Sequence, residues 1–159
     1  MAIFVSSGRV ALAKIIKTSP LHLAWGSGIP AWDATPVDPS ITDTDLVSEI
    51  GRRAATTVEY CTPDVNGSIE VTDGRFTYSA TPTTYIHVSF NFAAGDAPSS
   101  TVREVGIFIG STFIAEPGGQ YYFPIGEVVS KGLMLISNRF AALNRSPSIR
   151  QYFEFVISL

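Results

Sequence analysis

The chain has 159 residues and a mass of 17.1 kDa, which fits a single domain that buries roughly 70% of its extended surface on folding. The net charge is −3, and the eleven Lys and Arg residues are scattered, with the pair Arg52-Arg53 as the densest spot. Because phosphate binding needs Lys and Arg clustered on one face, this distribution argues against a nucleic-acid partner. The single cysteine, Cys61, excludes an internal disulfide and a cysteine-based zinc site.

The charged fraction is low, 16% against about 25% in an average globular protein, and leaves more surface that another protein can cover. This composition favours an assembled subunit over a free enzyme. No stretch approaches the ~18 consecutive apolar residues that span a bilayer, so we expect no membrane insertion. Lys14 and Lys17 interrupt the first apolar region, which does not resemble a signal peptide, so we expect synthesis in the cytoplasm.

Residues 7–18 are predicted to form a short helix. Leu12, Ile15 and Ile16 fall on one side of it at about 100° per residue, and the lysines fall on another side. Pro20 disfavours helical geometry at the residue before it, so the helix is predicted to end there.

Residues 20–43 are predicted to form a long loop, because the Pro and Gly residues in this stretch disfavour regular structure. Both tryptophans of the chain, Trp25 and Trp32, lie in it. Solvated linkers rarely hold two tryptophans, so we expect the loop to pack against the protein's own core or against a partner. Residues 43–51 are predicted to form a second short helix, with Leu46 on its apolar side.

From residue 53 onward, apolar residues recur at every second position, which is the period of a β-strand. Asn66-Gly67 predicts a hairpin turn, and residues 84–92 form the clearest strand, with apolar and polar side chains on opposite faces. About seven or eight such strands predict a mainly β fold, an antiparallel sandwich or open barrel. We expect an assembly arm over residues 1–52 and a β-sandwich-like domain over residues 53–159.

The sequence contains none of the common catalytic signatures. His22 and His87 are the candidate bases or metal ligands, but His87 lies on the polar face of a predicted strand, where an imidazole is usually solvated. Cys61 has no neighbouring base, which indicates a buried small hydrophobe rather than a nucleophile. The acidic residues within 33–49 lack the spacing of a calcium loop. We therefore predict no catalytic residue, no cofactor and no metal site.

Three stretches resemble small tail-associated proteins of contractile-tailed bacteriophages. Leu21-His-Leu-Ala-Trp-Gly-Ser-Gly28, with Trp32 soon after, is similar to a segment near the start of such proteins. Glu49-Ile-Gly-Arg-Arg53, running into Thr57-Val-Glu-Tyr60, resembles the same group. Val102-Arg-Glu-Val-Gly-Ile-Phe108 resembles a strand of phage tail-collar and fibre-base domains.

The resemblance implies a non-enzymatic structural subunit of the virion tail, in the baseplate or at the fibre attachment, that contacts copies of itself and other tail proteins. The alternative is a carbohydrate-binding module that uses exposed tryptophans and tyrosines. The apolar residues of the helix and the long loop would form a patch larger than soluble monomers usually expose. We expect these residues to contact the partner: Leu12, Ile15, Ile16, Leu21, Leu23, Trp25 and Trp32.

Overall fold

The computed structural model describes residues 1–114 and 119–159. The chain is mainly β, with antiparallel sheets and one short N-terminal α-helix, which confirms the predicted fold class. It divides into two compact units. Unit 1 consists of Met1–Ser19, Ala55–Phe90 and Tyr152–Leu159, and unit 2 consists of Pro20–Ala54 and Asn91–Gln151.

The described residues contain twelve strands, several of them only two or three residues long, where seven or eight were expected. The helix is α1, Ser6–Thr18. The strands are β1 (Leu21–Gly26), β2 (Glu49–Ala54), β3 (Thr57–Pro63), β4 (Ile69–Val71), β5 (Gly74–Tyr78), β6 (Tyr85–Phe92), β7 (Thr101–Ile109), β8 (Thr112–Phe113), β9 (Tyr122–Pro124), β10 (Val128–Ser130), β11 (Leu133–Asn144) and β12 (Gln151–Ser158). Two 3-10 helices span Pro30–Asp33 and Ile125–Glu127.

Unit 1 contains α1 and strands of a five-stranded sheet in the order β12-β6-β3-β5-β4. The apolar face of β6 is fully buried, as its alternation predicted: Ile86, Val88 and Phe90 are 0% exposed. The helix buries Ala13, and the Lys17 ammonium donates to the Val58 carbonyl at 2.6 Å. This packing accounts for one side of the helix and leaves the other side open.

In unit 2, the main sheet has the order β11-β7-β1-β2-β9, and β8 pairs with β10 in a separate ribbon. The strand β1 lies at the centre of the main sheet, and all six of its residues are buried. This corrects the prediction that residues 20–43 are wholly loop. Leu21, Leu23 and Trp25 alternate with smaller or polar residues, a period of two that the neighbouring Pro and Gly residues obscure.

The predicted helix over residues 43–51 is also wrong, because Glu49–Ala54 is the strand β2. Leu46 is buried as expected, but it packs with Ala24 and Phe108 from an irregular segment. The backbone N–H groups of Val47 and Ser48 donate to the carboxylate of Glu104 in β7, so they are not available for helical hydrogen bonds.

The strand β2 runs across the predicted boundary between residues 52 and 53. Each unit is built from separated parts of the chain. The boundary between the units therefore follows the pairing of strands and not position along the sequence. Residues 1–19 belong to unit 1, and the predicted long loop belongs to unit 2.

A pair of matched substitutions tests the placement of β1. Leu23→Ala removes a side chain that is 0% exposed, so we expect the free energy of unfolding to fall by about 2–5 kcal/mol. Leu12→Ala, in a residue that is 42% exposed, should cost clearly less. Urea unfolding monitored by tryptophan fluorescence measures both values. Equal costs for the two variants would contradict the placement of β1 in the core.

Candidate protein–protein interface

The seven residues predicted to contact a partner fall into two groups that belong to different units. Leu12 and Ile15 lie on the open side of α1, where they are 42% and 57% exposed, and Ile16 is half-buried beside them. All three belong to unit 1. They remain available to a partner chain, so for them the prediction stands as made.

The other four residues are buried within the chain. Leu21, Leu23 and Trp25 are at most 3% exposed, and Trp32 is 4% exposed. This corrects the expectation that they form part of an apolar patch covered by a partner, because their side chains already pack in the protein's own core. It also removes the two tryptophans as platforms for a sugar ring.

The two indole rings have well-defined partners in unit 2. The ring of Trp25 stacks on Phe92 with 3.7 Å between centroids, and its Nε1 donates to the Tyr122 hydroxyl at 3.3 Å. Trp32 lies under the guanidinium of Arg139 at 4.9 Å. Gly28, which has a φ of +56°, brings the backbone so close to the Trp32 ring that a Cβ would collide with it.

The strand β7 organises the segment that follows β1. The Arg103 guanidinium donates to both carboxylate oxygens of Asp33, at 2.7 and 2.9 Å, and to the Ser27 carbonyl at 3.0 Å. Asp33 also accepts a hydrogen bond from the Ala142 amide. These contacts, the hydrogen bonds from Arg103 first, lower the pKa of the Asp33 carboxyl below its usual value. The segment between β1 and β2 is therefore tied to the sheet by fixed contacts.

Glu104, the next residue of β7, is a carboxylate at 0% exposure. Its two oxygens accept hydrogen bonds from the backbone N–H groups of Val47 at 3.1 Å and Ser48 at 2.9 Å. A side chain at Gly26 would collide with this carboxylate, so glycine is required at that position. Glu104 thereby fixes the entry of the chain into β2.

Arg52 in β2 is the second fully buried charge. It makes a bidentate ion pair with Glu49, with both N–O distances at 2.8 Å, and donates to the Ser111 hydroxyl and the Lys131 carbonyl, both at 2.7 Å. The guanidinium also lies 4.4 Å from the centre of the Phe108 ring. A buried charge is tolerated when its hydrogen bonds are satisfied in this way.

Most residues of the stretches that resemble phage tail proteins come together in unit 2. They contain β1, β2 and β7, which are adjacent in the sheet order β7-β1-β2, whereas Thr57–Tyr60 lies in β3 of unit 1. Their shared residues pair with one another: Ala24 lies opposite Gly106 on one side and Arg52 on the other. The resemblance therefore resides mainly in the scaffold of unit 2.

A family model described as "Baseplate wedge 3 tail fiber network component" matches residues 1–159. The chain belongs to this family. The match covers the whole chain and confirms the resemblance to phage tail and baseplate proteins. As a baseplate component, the protein is located in the virion tail and interacts with other tail proteins. No curated protein sequence matches the chain.

The two histidines of this baseplate component are both buried. His87 was expected to be solvated, but it is 1% exposed. Its Nε2 lies 3.1 Å from Glu154 of the neighbouring β12, and its Nδ1 lies 3.4 Å from the hydroxyl of Tyr78 in β5. His22 packs edge-on against Phe113 at 4.9 Å between ring centres. No group among the described residues hydrogen-bonds to its Nδ1.

The remaining candidates for chemistry are accounted for by packing. Cys61 is buried, as predicted, and this burial raises the pKa of its thiol to about 11. In the ranges 1–114 and 119–159, no three side chains of His, Cys, Asp or Glu approach one another as a metal site. Within the same ranges, none of the helices has the length and apolar character needed to cross a bilayer.

Removal of the Glu104 carboxylate should unfold unit 2 more easily. Glu104→Ala removes the acceptor of two part-buried N–H groups, so we expect a loss of about 1–3 kcal/mol in the free energy of unfolding. Glu70→Ala, the same change in an exposed ion pair, is the matched control and should have a small effect. Chemical denaturation gives both values, and a small loss for Glu104→Ala would disprove its role.

His22 predicts a pH dependence of stability. Burial, followed by the positive charge of Arg52, lowers its pKa from 6.5 to about 4. The unfolded chain therefore binds the proton more readily than the folded protein. The contribution of neutral His22 to the free energy of unfolding is complete above pH 6.5 and is lost as the pH falls toward 4. The loss amounts to about 3 kcal/mol at ~1.4 kcal/mol per pKa unit.

The measurement is an NMR titration of the His22 ring together with unfolding at several pH values. His22→Asn should remove the corresponding part of the stability profile between pH 6.5 and 4. Titration of His22 near pH 6.5 in the folded protein would contradict this account.

Proposed function

We propose that this baseplate component is a non-enzymatic structural subunit that mediates assembly or fibre attachment through protein–protein contacts made by α1. The observation that supports the proposal is the open side of α1, where Leu12 and Ile15 stay exposed although the chain has a large core of its own. Apolar side chains clustered on a surface are typical of interaction sites. The subunit would be synthesised in the host cytoplasm and contact other tail proteins, copies of itself among them.

The structure of unit 2 supports a scaffold role for the stretches that resemble tail proteins. Charged side chains of β2 and β7 form ion pairs and hydrogen bonds within the chain. Arg52 binds Glu49, and Arg103 binds Asp33. Glu104 accepts hydrogen bonds from backbone amides. Each of these three side chains has a structural task. We therefore expect the partner contacts on surfaces that the core does not need.

Incorporation into phage particles tests the proposed function. In a phage that carries Leu12→Asp and Ile15→Asp, we expect the protein to fold but to be lost from purified tails, because two carboxylates would be buried at an apolar contact. Mass spectrometry of the particles measures its abundance, and thermal unfolding of the purified variant measures folding.

The matched control carries Ile41→Asp and Val65→Asp, at positions that are 103% and 85% exposed. This control adds the same two charges outside α1 and should be incorporated like the wild type. Equal incorporation of the two double variants would contradict a contact through α1, and absence of the wild-type chain from tails would contradict the structural role itself.

A further inference from the structure

The first fifteen residues of unit 1 expose an unusual amount of apolar surface. Residues 1–5 precede α1 and have no regular secondary structure, and within them Ile3 is 73% exposed, Phe4 is 54% exposed and Val5 is 57% exposed. The open side of α1 adds Leu12 and Ile15. These side chains lie within fifteen residues of one another in the sequence and belong to one unit, so they can form one contact surface.

Phe4 extends the apolar side of the helix by one turn. Gly8 leaves a gap on the open side of α1, and the Phe4 ring occupies the space that a side chain at position 8 would fill. The Arg9 guanidinium lies 5.6 Å from the centre of that ring and donates to the Phe4 carbonyl at 3.4 Å. Phe4, Leu12 and Ile15 together form an exposed apolar surface, the outer row.

The spacing of residues on the open side of α1 is that of a helix–helix contact. Gly8, Leu12 and Ile15 follow one another at four and three residues, which is the repeat of a coiled-coil seam. Ala11 lies on the same exposed side and is small enough to let another backbone approach. The 13 residues of α1 are about 20 Å long and offer room for three to four turns of a partner helix.

The charge around the outer row selects the partner. Residues 1–32 contain Arg9, Lys14 and Lys17 and no Asp or Glu. Lys17 is held by Glu59 of the same unit at 2.7 Å, whereas Arg9 and Lys14 flank the outer row on its two sides at 100° per residue. The first turn of α1 carries no acidic residue, so the positive end of the helix dipole adds to this field.

We propose that the outer row binds an acidic amphipathic helix of another baseplate protein, with apolar residues against Phe4, Leu12 and Ile15 and carboxylates beside Arg9 and Lys14. The inference rests on the proposed function and names the partner of the same surface. A second copy of α1 fits less well, because it would bring Arg9 and Lys14 against like charges. An anionic membrane matches the charge, but the small residue Ala11 on the same exposed side matches a helix.

Photo-crosslinking in assembled tails tests this proposal. Ile15→p-benzoyl-L-phenylalanine places a crosslinker in the outer row, and Val65→p-benzoyl-L-phenylalanine places one at an exposed site of the same unit as the control. After irradiation, mass spectrometry should find position 15 joined to a helical, Asp- and Glu-rich segment of a different tail protein. Crosslinks to a second copy of this chain, or a yield no higher than that at position 65, would overturn the proposal.

Charge reversal is the second arm of the test. Arg9→Glu with Lys14→Glu should reduce incorporation in competition with the wild type by at least about tenfold, because carboxylates then face carboxylates. Arg75→Glu with Arg150→Glu makes the same change of net charge elsewhere and should have little effect. An equal reduction for the two pairs would reject the acidic partner.

The membrane alternative and the proposed function are separated by two further readouts. Co-sedimentation of the purified chain with anionic phosphatidylserine vesicles, abolished by Leu12→Asp and Ile15→Asp, would overturn the proposal in favour of a lipid surface. Where the chain is present in tails but position 15 does not reach an acidic helix, the structural role stands and this inference fails.

Discussion

Two fully buried charges constrain the path of the chain through unit 2. Arg52 and Glu104 are both at 0% exposure, and neither can be left without partners in a core that excludes water. Arg52 is satisfied by Glu49 and by oxygens beyond β7, and Glu104 is satisfied by the amides of Val47 and Ser48. The end of the segment between β1 and β2 therefore follows from the hydrogen-bonding requirements of β7.

This constraint explains why the stretches that resemble other tail proteins contain glycine and charge side by side. Gly26 gives room to the Glu104 carboxylate, and Gly106 lets Leu46, Met134 and the Phe108 ring close over the sheet. A larger residue at either position would displace a neighbour that the buried charges need. The likeness to baseplate proteins is thus mainly a likeness of scaffold, carried for the most part by three adjacent strands.

Burial distinguishes the residues of the scaffold from those available for an interface. Side chains that the core requires are buried, including both tryptophans, and residues that the core does not require remain at the surface. The open side of α1 is of the second kind, because Ala13 and Lys17 already hold the helix to unit 1. A structural subunit can therefore present a partner surface without weakening its own fold.

The sequence by itself determined the elements whose signals are local. The apolar side of α1, the buried apolar face of β6 and the burial of Cys61 follow from periods and composition over a few residues, and the structure confirms them. Leu12 and Ile15 were found in the same way. Whether they meet a partner depends on another chain, which no local pattern describes.

Tertiary structure decided what depends on residues far apart in the chain. Leu21 to Gly26 became a central strand because β2 and β7 pair with it from both sides, and Trp25 became a core residue because Phe92 and Tyr122 lie against it. The segment before β2 does not form the predicted helix, because two of its backbone amides donate to Glu104, more than fifty positions away. Local propensity is worth tenths of a kcal/mol to about 1 kcal/mol per residue, so a buried carboxylate that needs two amide donors outweighs it.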